Sequence, residues 1–116
     1  MVTQRMWHVT LTVAGEPVQV ADIRDGLERL SHAHPFLLAG RYAQDRAELR
    51  YWEEAPAIDL AVELAHQLWD EHRSSSALPD WEVVGLEVVD QETFHRRGRS
   101  LVERPSLVAA GSVIPF

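Results

Sequence analysis

In Trp7-His8-Val9-Thr10-Leu11-Thr12-Val13 the apolar side chains hold the odd positions and the polar ones the even positions, the two-residue period of a strand with one dry and one wet face. Gly15 and Pro17 break the pattern and make a turn. The period then changes: Ile23, Leu27 and Leu30 recur at spacings of four and three with Arg24, Asp25, Glu28 and Arg29 between them, which predicts a helix over Ala21–His32. Asp22 and Asp25 fall in its first turn, where the helix dipole favours anions, and Pro35 ends it. Leu37–Ala43 and Ala47–Glu53 flank the short polar connection Gln44-Asp45-Arg46 and read as a hairpin, with Leu49 and Tyr51 inward and Glu48, Arg50 and Trp52 outward. Pro56 opens a second helical stripe over Ile58–Arg73, carried by Ala61, Leu64, Ala65, Leu68 and Trp69 and stopped by Ser74-Ser75-Ser76 and Pro79. A last strand follows over Trp81–Val89, with Val84, Leu86 and Val88 assigned to one face and Val83, Gly85, Glu87 and Val89 to the other.

The order is β-α-β-β-α-β. Two right-handed crossovers in that order lead to an α+β fold, the ferredoxin-like sandwich, in which a four-stranded antiparallel sheet of order 4-1-3-2 carries two helices on one face. Val9, Leu11, Ile23, Leu27, Leu30, Leu49, Tyr51, Leu64, Leu68, Val84 and Leu86 are expected to share one core. With 116 residues there is room for one such domain, placed at residues 1–95, followed by a C-terminal extension at 96–116. That extension carries Leu101, Val102, Leu107, Val108, Val113, Ile114 and Phe116, too much apolar area to leave in water at about 25 cal/mol per Å². It is therefore expected to dock on its own sheet or on that of a second copy, with exchange between two copies as the favoured form and Pro105 and Pro115 confining any strand to an edge.

Composition narrows the partners. Residues 1–90 hold 16 acids against 7 arginines and residues 91–116 hold 2 against 4, so a body this acidic argues against nucleic acid, whose binding begins with neutralising phosphates. All basic residues are arginine, as a GC-rich genome produces. No apolar run approaches the ~20 residues of a membrane span, and Met1–Met6 does not form a leader. The chain has no cysteine, which removes disulfides, thiolate metal sites and thiol catalysis. These features together predict a cytoplasmic protein.

No nucleophile signature, phosphate-binding glycine loop or metal-hydrolase motif is present, so no catalytic residue, metal site or cofactor is assigned. His32-Ala33-His34 is the most metal-like spacing, yet at a helix end the two side chains diverge and no acidic partner is near in sequence. The outward face of the sheet is richer. Strand order brings His8, Thr10 and Thr12 beside Glu48, Arg50 and Trp52, with Arg41 within reach from the next strand. An imidazole, hydroxyls, an Arg–Glu pair and an indole suit a ligand or partner surface. Cross-strand pairing on a wet sheet face accounts for the same residue types. The candidate binding set is accordingly His8, Thr10, Arg41, Glu48, Arg50 and Trp52.

His34–Tyr42, Arg46–Glu54 and Leu78–Val89 resemble segments of a family of small, uncharacterised actinobacterial proteins, and the likeness runs over about Trp7–Arg97. That resemblance implies no activity and no site residues. A more distant likeness, in topology alone, is to regulatory ACT domains, in which the loop between first strand and first helix, here Ala14–Val20, receives a small ligand. The expectation is a non-enzymatic interaction or regulatory module that works through the open sheet face and the tail, with itself or another protein as partner. The competing expectation is a small enzyme or ligand-binding protein of the dimeric α+β barrel or ACT-like type, for which an enclosed pocket holding a perturbed histidine would speak.

Overall fold

The computed structural model describes residues 5–34, 37–100 and 112–116. Eight elements follow in the order β1 (Arg5–Ala14), α1 (Val20–Ala33), β2 (Leu37–Ala43), β3 (Arg46–Ala55), α2 (Ile58–Ser75), β4 (Glu82–Asp90), α3 (Gln91–Ser100) and β5 (Ser112–Pro115). The strands form one sheet of order β4-β1-β3-β2-β5. β1 pairs antiparallel with both β3 and β4, β2 pairs antiparallel with β3, and β5 runs parallel to β2. The chain is thus an α+β protein, with three helices and a five-stranded mixed sheet among the described residues, where the sequence predicts two helices and four antiparallel strands. Of the tail's apolar residues, Leu101, Val102, Leu107 and Val108 lie outside the described residues.

The alternation in β1 sends Val9, Leu11 and Val13 to one face, where they meet Ile23, Leu27 and Leu30 of α1 and Ala65, Leu68 and Trp69 of α2 in a single core. Three buried indoles each donate the ring N–H to a main-chain carbonyl, so that none of these donors is left unpaired in the interior. Trp7 donates to Ala55 at 2.9 Å, Trp69 to Trp81 at 2.7 Å and Trp81 to Glu16 at 2.8 Å. Trp81 precedes β4 instead of opening it, and its ring lies over Gly15, where a Cβ would collide with the indole. Gly26 serves α1 in the same way, since a Cβ there would stand 2.6 Å from Cδ2 of the buried Leu78.

Val84 does not join the core. The register between β1 and β4 shifts between Thr12 and Val13, so that Thr12 faces Gly85 while Val13 faces Val83, and Val84 is the extra residue of a bulge, 62% exposed. Strict alternation fails at that point: Val83 packs against the core in place of Val84, and Leu86 and Val88 keep their inward assignment.

The third helix follows β4 without a break. The Asp90 carboxylate accepts the Thr93 N–H at 2.7 Å, Glu92 sits in the first turn, and Arg96 pairs back to Glu92 one turn along at 3.2 Å. α3 packs on β1 and β4 on the face opposite α1 and α2.

Candidate functional site

The register of the central strands sets the outward face in rows. His8 stands beside Trp52 and Val89; Thr10 beside Arg50 and Glu87; Thr12 beside Glu48 and Gly85, with Arg41 next to Glu48 and Ile114 next to Arg41. The six residues singled out in the sequence do share one face, but α3 divides them. Phe94 stacks on the His8 ring at 4.2 Å between centroids and meets Trp52 edge-on at 4.8 Å, while His8 and Trp52 contact each other edge-on at 5.4 Å. Arg97 of α3 reaches Glu87 of β4 at 2.8 Å. His8 is left 3% exposed and Trp52 half-buried, so this end of the face is closed by the chain itself. Thr10 and Glu48 remain half-buried and Arg50 and Arg41 exposed on the open half. Among the described residues neither arginine forms an ion pair; the Arg41 guanidinium instead lies 5.2 Å from the Phe116 ring.

Burial, reinforced by the positive charges of Arg50 and Arg97 and opposed by Glu87, pushes the His8 imidazole down to about 4. At neutral pH it is an uncharged ring in an aromatic stack. It offers a partner neither charge nor surface, and its role in this state is to seat Phe94.

A second titratable group lies on the helix-covered face, where alternation predicts plain core. Burial, with a contribution from Glu53, raises the Tyr51 phenol, and its hydroxyl finds no hydrogen-bond partner among the described residues. Burial and the nearby His72 lower His34, whose ring meets Tyr51 edge-on at 5.3 Å, and burial raises Glu53. His32 is exposed at the end of α1 while His34 turns onto Tyr51, so the His-x-His pair is not brought together. Alternation alone could not single out this cluster, since Tyr51 occupies an ordinary inward position. Among the described residues no group of three or more His, Cys, Asp or Glu side chains is placed to hold a metal ion.

Clefts open elsewhere on the surface. One of about 420 Å³ lies between Pro17, Val20, Tyr42, Gln44 and Phe116, one of about 320 Å³ between Val18, Asp22, Arg29 and Leu78, and one of about 350 Å³ between Arg5, Met6, Asp90 and Glu92. The loop between β1 and α1 borders the first two, and none of the three is lined by His8 or His34.

Residues 6–105 match the family described as Domain of unknown function (DUF8830). The chain belongs to that family. The match runs from the second residue of β1 through α3, and hence over the whole His8–Trp52–Phe94 stack, and it ends before β5. No curated protein matches the chain. Among the described residues no helix is long and apolar enough to cross a membrane.

Proposed function

We propose that this chain is a non-enzymatic interaction module that associates with a second copy through the open half of its outward sheet face. With α3 and β5 set aside, the order β4-β1-β3-β2 under two helices supports reading the body as a ferredoxin-like sandwich. The observation that carries the functional reading is the pattern of charge on that half. The row of Thr10 presents Arg50, and the row of Thr12, two residues along the strands, presents Glu48. An isologous interface needs a self-complementary patch. A two-fold axis running across the strands between these rows lays Arg50 of each copy over Glu48 of the other. It also sends the two α3 helices to opposite ends.

The lack of cysteine and the acidic composition support a cytoplasmic, protein-binding role over a nucleic-acid-binding one. Light scattering tests the reading. The wild-type chain is expected at twice its 13.2 kDa mass. Arg50→Glu, which sets carboxylate against carboxylate, is expected to give single chains, and Arg50→Glu with Glu48→Arg to restore the pair. A wild-type chain that stays single at every concentration, or an Arg50→Glu chain that still pairs, overturns it.

A further inference from the structure

Without β5, the outer hydrogen-bonding groups of β2 would form an open edge, and open edges recruit other strands. Here they are covered by a few residues that arrive from the far end of the chain. Ala39, Gly40, Arg41 and Tyr42 stand opposite Ser112, Val113, Ile114 and Pro115, and the Phe116 N–H donates to the Tyr42 carbonyl at 2.9 Å. The seat has three parts. The strand ladder reads no side chain. Beside Gly40 lies a small apolar socket, in which Val113 packs against the core at the level of Leu49 and Leu27, each within ordinary contact distance of the Gly40 Cβ position. At the end of the hairpin the guanidinium groups of Arg41 and Arg46 stand 5.2 and 5.3 Å from the Phe116 ring and form a cationic fork for an aromatic side chain.

The present occupant is held lightly. Four residues in a parallel ladder make a weak pairing, Val113 is only half-buried, and Phe116 is 46% exposed. Segments with so little buried area open at low cost. We infer that the β2 edge is an exchangeable peptide-docking site, which accepts from another protein an extended uncharged segment bearing a β-branched residue and, three positions later, an aromatic one, and that residues 112–116 fill it as a built-in competitor. Main-chain pairing would supply the affinity, and the Gly40 socket and the arginine fork the specificity. The site lies at the edge of the sheet and does not depend on the pairing of open faces proposed above.

The probe is a fluorescein-labelled Ser-Val-Ile-Pro-Phe peptide, titrated by anisotropy into full-length chains. Val113→Asp places a charge in the apolar socket and expels the chain's own segment, so this variant is expected to bind the peptide at least roughly tenfold more tightly than the wild type, whose site is filled by a tethered competitor. Phe116→Ala, which leaves the socket apolar, is expected to move in the same direction and guards against a Val113→Asp chain that fails to fold. Changing the peptide's Phe to Ala, or Arg46 to Ala in the Val113→Asp chain, is expected to remove most of the gain. The inference is overturned if neither variant binds more tightly than wild type, or if a scrambled peptide binds as well as the ordered one.

Discussion

On one face of the sheet Val9, Leu11, Leu49 and Tyr51 are sealed from water by α1 and α2, whereas on the other Thr10 and Glu48, one residue away along the same strands, stay half-exposed beside α3. The difference lies in what the covering helices bring. α1 and α2 each present a long apolar stripe, and together with Trp69 and Trp81 they close a continuous core. α3 is ten residues long and strongly polar, and it meets the sheet mainly through Phe94. One face of this sheet therefore supplies stability. Among the described residues the other is closed at one end by a single aromatic stack and uncovered at the end where Arg50 and Glu48 stand.

The comparison breaks most readily on the sealed face. Leu27 is fully buried between α1 and the sheet, and Leu27→Ala is expected to cost about 2–5 kcal/mol in chemical denaturation. A loss below about 1 kcal/mol would mean that α1 is not the wall of the core.

The next effect belongs to the outward face and depends on pH. His8 titrates near its ordinary value of 6.5 when unfolded and at about 4 when folded, so between those values the unfolded state holds more protons. The stabilisation from neutral His8 is complete above about pH 6.5 and is lost as the pH falls toward 4, on the order of 1 kcal/mol at one pH unit below the upper limit and roughly 3 kcal/mol by pH 4. Burial lowers His34 as well and acts in the same direction, while the raised Glu53 opposes it, so the contribution of His8 is isolated by comparing melting curves of the wild type and His8→Gln. His8→Gln is expected to flatten the slope over this window. An unchanged slope would show that His8 is not shielded by Phe94.

Smaller again is Phe94→Ala, expected to cost about 1–2 kcal/mol because the ring is only half-buried and its loss removes two aromatic contacts. Its sharper readout is local. Of the four tryptophans, Trp7, Trp69 and Trp81 are buried on the other face, so a red shift in emission would report Trp52 alone coming into water.

Much of this architecture was legible in the chain. The changes of period at Ala14, Leu37 and Pro56 marked the strands and the two long helices, because each of those elements buries a whole side and its apolar spacing records it. Alternation assigns Val84 to the core because a bulge adds one residue without any change in composition, and Val83 and Val84 are the same amino acid. α3 escaped because a helix anchored by one phenylalanine has no stripe to detect. Its signals were local ones, Asp90 three residues before Thr93 and Glu92 four before Arg96. The candidate site suffered accordingly. Period two placed His8, Thr10, Glu48, Arg50 and Trp52 on one face, but with α3 unseen it could not tell which end of that face was covered.

The central claim, that the open half of the outward face meets the same half of a second copy, is tested most directly by cross-linking in a chain that has no cysteine of its own. Thr12→Cys puts a single thiol beside Glu48 on that half, and Val20→Cys puts one on the exposed side of α1. Treated with a short bis-maleimide at equal concentration, Thr12→Cys is expected to run as a covalent dimer and Val20→Cys as a monomer. Dimer from Val20→Cys alone, or from neither variant, would contradict the account.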